Sequence, residues 1–196
     1  MQPKTPPNKS GQRTHTQEEA LQKASSDLLR KLPPHNTEAE QAVLGGVFLR
    51  NDIFHTLVDT ISDEDFYSPA HRTIYQAFQE LYRCRQPVDL VTAAEYLQSR
   101  GQLDEVGGTV YLASLAESVA SASNAVFHAQ IVRDKSVRRR LIQTSSEILT
   151  NCFEAGEDTE SLLDKAEQEI FSIAESKGKP AFVSSKDLVN RVFEQL

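Results

Sequence analysis

Residues 125–155 contain neither proline nor glycine, and this uninterrupted run constrains the fold more than any other feature of the sequence. Ser121, Ser123 and Asn124 just before it are all N-cap types, which places a helix start there. At ~1.5 Å rise per residue, ~28 residues of helix reach about 42 Å. A domain of this size cannot bury that length, so part of the helix must project. Phe127, Ile131, Leu141, Ile148 and Cys152 track one stripe, while the centre, RDKSVRRR, has Val137 as its one apolar residue. Gly156 and Asp158-Thr159 make a turn. Beyond it Leu162 or Leu163, Ala166, Ile170 and Ile173 or Ala174 recur at alternating spacings of three and four, the pattern of a helix returning along the first. The expectation is an antiparallel helical hairpin over residues 122–176, held by Leu141, Ile148, Leu162, Ala166 and Ile170. Val126, Phe127 and Ile131 lie beyond the reach of the shorter return helix and need another cover, from the rest of the chain or from a second protein.

Residues 32–121 read as a small globular helical bundle. Pro33-Pro34 stops any preceding helix. Asn36 or Thr37 then caps a helix with Glu38 and Glu40 in its first turn, where carboxylates meet the positive helix end. Gly45-Gly46 sits inside this helix at a cost of roughly 1 kcal/mol per glycine relative to alanine, which predicts the close approach of a second helix backbone. Asn51 or Asp52 caps a short helix carrying Ile53, Phe54, Leu57, Val58 and Ile61, and Ser62 to Asp65 form a cap-rich turn. Pro69 opens the helix AHRTIYQAFQELYR. Asp89 or Thr92 starts another that runs to Gly101, and one more spans Thr109 to Glu117. No segment alternates as a strand does, so the fold class is all-α: a small helical bundle, an antiparallel helical hairpin and a linker helix. Residues 1–31 read as a disordered or weakly helical tail. Residues 177–196 read as a linker and the start of a linker helix whose docking face is Leu188, Val189, Val192 and Phe193. The chain ends on an apolar residue within that pattern, without a C-cap, as a cut made in a longer protein would leave it.

A chain of 196 residues with 39 % apolar composition builds one medium domain or a small domain with appendages. The absence of Trp disfavours a large aromatic-lined pocket. The net charge of −7 argues against a general coat for nucleic acid or an anionic membrane, but the total conceals segregation. It is +3 over residues 1–35, −8 over 36–121, +3 over 122–153 and −5 over 154–196. Cys84 and Cys152 are far apart, and the N-terminal sequence lacks the apolar stretch of a secretory signal. A reducing cytoplasm fits both, and no window is long and apolar enough to span a membrane.

Motifs for chemistry are few. Gly45-Gly46 runs into Val47-Phe48, so no phosphate-binding P-loop is present. Asp63-Glu64-Asp65 has no apolar strand before it and reads as a solvated helix cap, not a magnesium motif. The histidines and cysteines show no metal-ligand spacing. His71 has the position of a general base, but with no nucleophile or partner beside it in sequence it reads better as a satisfied surface or interface histidine. The basic run is more evenly poised. At 100° per residue Arg133 and Arg140 share a face, while Arg138 and Arg139 point away from it, which makes a belt. Either that belt is a solvated face with i,i+4 ion pairs, or it docks an acidic surface of a neighbouring subunit or partner. With no aromatic interleaving, direct DNA binding ranks third.

In order, LPPHNTEAEQAVLGGVFL, DEDFYSPAHRTIYQAFQEL, PVDLVTAAEYLQSRGQLDEVGGTVYLASLA, NAVFHAQIVRDKSVRRRLI and LLDKAEQEIFSIAES resemble the N-terminal part of the bacterial DnaB-type replicative DNA helicases. The resemblance covers Leu32 to about Ser176 and does not extend to the tail. It implies a helical globular domain, a hairpin, and a linker helix, similar to SSKDLVNRVFEQL, that leads to a RecA-like ATPase domain outside this chain. The implied parent is a hexameric, ATP-dependent helicase that encircles single-stranded DNA at the replication fork. This part corresponds to its collar, where hairpins of adjacent subunits pair and a DnaG-type primase binds, with a helicase loader as a further partner. ATP and magnesium belong to the absent motor, so no catalytic residue, cofactor or metal is assigned here. Asn124, Phe127, Ile131, Arg133, Arg138 and Arg139 are the resulting residues for subunit pairing or primase contact. His128-Ala129 stands where the family commonly has Tyr-Ala.

Two other readings compete. The helicase-binding C-terminal domain of a primase shares the bundle-plus-hairpin plan, but would place the hairpin at the chain end. A small stand-alone hydrolase would use His71.

Overall fold

A computed structural model describes residues 32–153 and 158–176. The chain divides into two units after Pro33. Of the first, only Leu32 and Pro33 are described, and the account below concerns the second. The expectations for the N-terminal tail, for the turn at Gly156, and for the linker with Leu188, Val189, Val192 and Phe193 fall outside the described residues.

Every regular element among the described residues is helical. Helix α1 spans Thr37–Leu49. Asn36 caps it, its Oδ1 accepting from the Ala39 amide at 2.9 Å. Helix α2 is Phe54–Thr60, preceded by a 3-10 turn at Asn51–Ile53 and followed by one at Asp63–Asp65. Neither Asn51 nor Asp52 caps α2 through its side chain. Instead the Asn51 amide pairs with the backbone of Val88, accepting from its N–H at 2.5 Å and donating to its carbonyl at 2.6 Å. It thereby pins two loops together, an outcome that capping preferences alone do not reveal. Asp65 closes a capping box with Ser62, as the cap-rich sequence predicts.

Helix α3 spans Pro69–Arg83 with Pro69 in its first turn and the Ser68 hydroxyl accepting from His71 N. Helix α4 is Leu90–Ser99, capped by Asp89, which accepts from the amides of Val91 and Thr92. Those hydrogen bonds hold the Asp89 carboxyl below its ordinary pKa range. Helix α5 is Gly108–Glu117, entered through Gly107 at φ 98°, a left-handed conformation suited to glycine. Tyr75, Phe54, Phe66, Phe78, Leu44 and Leu97 fill the core. The Tyr75 hydroxyl donates to the Ile61 carbonyl at 3.3 Å. Burial, with Asp65 and Asp63 nearby, pushes that phenol well above its usual range.

Helix α6 is a single helix over Ala125–Phe153, 29 residues and so about 43 Å long. Helix α7, Thr159–Ser176, packs along it. Its N-terminus is capped by Asp158, whose Oδ1 accepts from the Ser161 amide at 3.0 Å.

The buried stripe of α6 differs from the one expected. Ala125, Ala129, Val132, Ser136, Val137 and Thr144 are buried, whereas Phe127 is 67 % exposed and Leu141 42 % exposed. The cause lies in α1. A Cβ added at Gly45 would stand 2.2 Å from the Leu115 carbonyl oxygen of α5, and one at Gly46 would stand 2.9 Å from the Ala125 Cβ of α6. The glycines let two helices close on α1, as their cost predicts, and contact that tight selects small residues on the facing stripe of α6. On α7, Ile173 is buried while Leu163 and Ile170 are exposed. Neither Leu141 nor Ile170 therefore acts as hairpin core.

Candidate functional site: the arm and its root

The basic run lies where α6 leaves the body, and three of its guanidiniums turn back onto residue 34 and residues 60–65 of the same chain. Arg133 donates to the Thr60 carbonyl at the end of α2. Arg139 donates to the carbonyls of Pro34, at 2.9 Å, and Asp65, at 2.5 Å. Its guanidinium also lies 5.7 Å from the ring centroid of Tyr67, whose other neighbour is the stacked ring of His35 at 4.3 Å. Arg140 reaches Asp65 Oδ1 at 3.3 Å and Glu64 Oε2 at 3.6 Å. Burial lowers the pKa of Arg139 from its ordinary value, while the carboxylates of Glu40 and Asp65 oppose the shift.

Three of the four arginines thus form a clasp between the arm and the body. Sequence spacing separates Arg139 from Arg133 and Arg140, but a long guanidinium swings far enough to join them. The acidic surface that the belt meets in this structure is the 63–65 turn of the same chain.

A second polar cluster lies inside the body. His71 is 1 % exposed, so it is an interior residue and not the surface or interface histidine expected. Its Nδ1 is 2.6 Å from Glu40 Oε2, and its Nε2 is 2.6 Å from the Tyr111 hydroxyl. Glu40 also accepts from the amides of Tyr67, at 2.7 Å, and Ser68, at 3.3 Å. Gln41 donates to the Tyr111 hydroxyl at 3.3 Å. The Glu40 carboxylate accepts from Nδ1, and Nε2 and the Tyr111 hydroxyl share the other bond. Both ring nitrogens face groups of this chain and the ring is closed to solvent, so no substrate reaches it. The cluster ties α1, α3, α5 and the 66–68 segment together as structure. Its partners come from 31 and 40 residues away, which is why local spacing does not reveal them. Among the described residues no group of three His, Cys, Asp or Glu side chains could hold a metal ion, and no helix is long and apolar enough to cross a membrane.

The residues expected at an interface separate into two sets. Asn124, Phe127 and Arg138 are exposed. Ile131 packs against the body's core, and Arg133 and Arg139 hold the clasp. Further out, the arm exposes Leu163, one of the alternatives in the expected stripe, and a set that the stripe omitted: Ile142, Leu149 and Phe153 on α6, with Phe171 on α7. Phe153 is 82 % exposed and Phe171 64 %. The spacing 142, 149, 153 is itself helical, so the signal was present in sequence, as a second stripe beside the first.

Comparison with known proteins supplies the context. Residues 32–134 match the family described as DnaB-like helicase N terminal domain. The chain is 43 % identical over 147 residues to the replicative DNA helicase DnaB of Haemophilus influenzae, covering 74 % of this chain and 31 % of that protein. It is 39 % identical over 172 residues to the replicative DNA helicase DnaC of Bacillus subtilis, covering 87 % and 38 %. It thus spans about a third of the length of these curated relatives. Among solved structures, the crystal structure of the N-terminal domain of DnaB helicase from Mycobacterium tuberculosis aligns with a TM-score of 0.69 and 36 % identity, over 72 % of this chain and 99 % of that one. A DnaB-like replicative helicase, described together with its interactions with primase, aligns with a TM-score of 0.57 and 27 % identity, over 82 % of this chain and 35 % of that one.

Proposed function

The chain belongs to the DnaB-like helicase N-terminal domain family, and from that premise we propose that it is the collar and assembly part of a hexameric, ATP-dependent replicative DNA helicase. Membership of that family, not of a primase family, displaces the primase-domain alternative. The closure of the His71 ring inside the body displaces the hydrolase.

The observation that carries the reading is the arm's uncovered apolar surface, Ile142, Leu149, Phe153, Leu163 and Phe171. Large apolar side chains left exposed together on one projecting hairpin mark a protein contact. A second copy of the arm supplies it through a twofold contact in which each seam covers the other. The clasp makes the arm a rigid extension of the body, so paired arms set the spacing of neighbouring bodies in a ring.

The exposed residues nearer the root, Asn124, Phe127 and Arg138, are offered to a DnaG-type primase, with Ile131, Arg133 and Arg139 holding the helix that presents them. In the parent, ATP and magnesium serve a RecA-like motor, which also makes the main contact with single-stranded DNA. A helicase loader is a further partner, and the setting is the bacterial cytoplasm at the replication fork.

Analytical ultracentrifugation tests the pairing. The chain is expected to form dimers or higher species as its concentration rises through the micromolar range, and a Leu149→Glu, Phe171→Glu double variant is expected to stay monomeric. A chain that is monomeric throughout would remove the reading. Calorimetry with a DnaG-type primase tests the second contact, and unchanged binding by Phe127→Ala would remove that site assignment.

A further inference from the structure

The globular body carries a second uncovered apolar surface, away from the arm and not used in the reading above. It is a groove of about 630 Å³ between α4 and α5, lined by Leu90, Val91, Ala94, Leu103, Val110 and Ala113 among others. Val91 is 77 % exposed and Val110 80 %. Neither is explained by helix formation, since β-branched residues are poorer helix formers than the alanine, glutamate or lysine an exposed position would otherwise favour. Nor does the fold cover them. Helix α6 packs on α1, α2 and the 63–65 turn, and the groove is lined only by α4, α5 and the connector between them.

Shape and charge together specify the occupant. Two helices supply the walls, Leu90 and Val91 on one side and Val110 on the other, while Ala94 and Ala113 leave a shallow trough between them. A trough between two helices accepts the apolar ridge of a third, the helix-in-groove mode of recognition. Its surroundings are one-sided in charge. Between Gln86 and Asn124 the chain has five acidic residues, Asp89, Glu95, Asp104, Glu105 and Glu117, against one basic residue, Arg100. Arg100 is turned onto the ring of Tyr96, 5.1 Å from its centroid. Glu95 lines the groove, Glu117 lies one turn beyond Ala113 on α5, and the Asp89 carboxyl is held ionised by the amides it caps. We propose that the α4–α5 groove is a docking site for an amphipathic helix of a partner protein whose apolar stripe is flanked by Lys or Arg. The apolar floor supplies affinity, and the acidic rim selects among partners and excludes acidic helices.

The test uses the whole chain, isotope-labelled, and two synthetic probes of about 14 residues with the same leucine stripe, one flanked by lysine and one by glutamate. Titration with the lysine peptide is expected to shift the amide resonances of Val91, Ala94, Val110 and Ala113 saturably. The glutamate peptide is expected to bind there about tenfold more weakly or less. Val110→Lys, at an exposed position that leaves the core untouched, is expected to abolish the shifts. The double variant Glu95→Lys, Glu117→Lys is expected to invert the preference between the peptides. Equal binding of the two probes, shifts confined to Leu149, Phe153 and Phe171 of the arm, or normal binding by Val110→Lys would each overturn the proposal. So would concentration-dependent shifts at the groove without any peptide, because they would make a second copy of this chain its occupant. Arm pairing is read separately by ultracentrifugation, so this site and the collar role fail independently.

Discussion

At the scale of single residues, the positions that decide the fold are the small ones and the ones that share protons. Gly45 is the sharpest case, because the atom that an added Cβ would strike is the backbone oxygen of Leu115, 2.2 Å away, and a carbonyl in a helix cannot rotate aside. Gly45→Ala gains roughly 1 kcal/mol of helix propensity but forces α1 and α5 apart. Overpacking of this kind costs about 1–3 kcal/mol, and urea unfolding is expected to show net destabilisation. The reason for this glycine was legible in the sequence because its local cost demanded one. The Glu40–His71–Tyr111 chain was not, since each residue is ordinary in its own helix and only the packed fold brings them together. Tyr111→Phe is expected to cost about 1–3 kcal/mol by leaving buried donors and acceptors unpaired. Folding of that variant, followed by circular dichroism, is expected to stay cooperative because the ring volume is kept.

At the scale of elements, α6 is one helix that does two jobs. Its first part presents Ala125, Ala129 and Val132 to the body, and its outer part carries exposed Leu149 and Phe153. Periodicity revealed that a long helix and a return helix exist, but it ranked the large apolar residues as the buried ones. Alanine has a weak hydropathic signal, so the contact stripe of small residues does not stand out in the sequence beside Phe127 and Leu141. The arginines show the same limit. Their number and position on α6 are local facts, yet the choice between an acidic surface in the same chain and one in a neighbour depends on an acidic turn 74 residues away. Arg139→Ala removes two charge-assisted bonds to carbonyls and a ring contact, and a loss of about 1–3 kcal/mol is expected in thermal or urea unfolding.

The return helix has its own pH signature. Hydrogen bonds from the Ser161 amide and hydroxyl hold the Asp158 carboxyl below its ordinary value of 3.8. A depressed pKa means that the cap's contribution is complete above that ordinary value and is lost as pH falls through the lower folded value. Exchange of the Ser161 amide is therefore expected to lose protection below about pH 4 in the parent chain. In Asp158→Asn, whose side chain caps without titrating, that acid-induced loss is expected to disappear.

At the scale of the whole molecule, the contrast between a clasped root and an uncovered outer arm divides one continuous helix into two regimes of stability. Ala129, Val132 and Ser136 are buried, and Arg133 and Arg139 clasp the same stretch of helix to the body. Their amides open only when the body unfolds. Those of Leu149 to Phe153 and of Leu163 to Phe171 have a single helix for cover and open locally at much lower cost. Pairing with a second copy would change only the second group, because ligation stabilises what it covers by mass action. Hydrogen exchange measured at low and high chain concentration therefore separates the two regimes. Protection in the outer arm is expected to rise with concentration, and that at the root is expected to stay constant. A Leu149→Glu, Phe171→Glu chain is expected to show low outer-arm protection at every concentration while its root remains as protected as the parent's. If outer and inner protection rose together, the arm and body would be a single cooperative unit, and the clasp would have no separate role in holding a rigid root beneath a surface that waits for its partner.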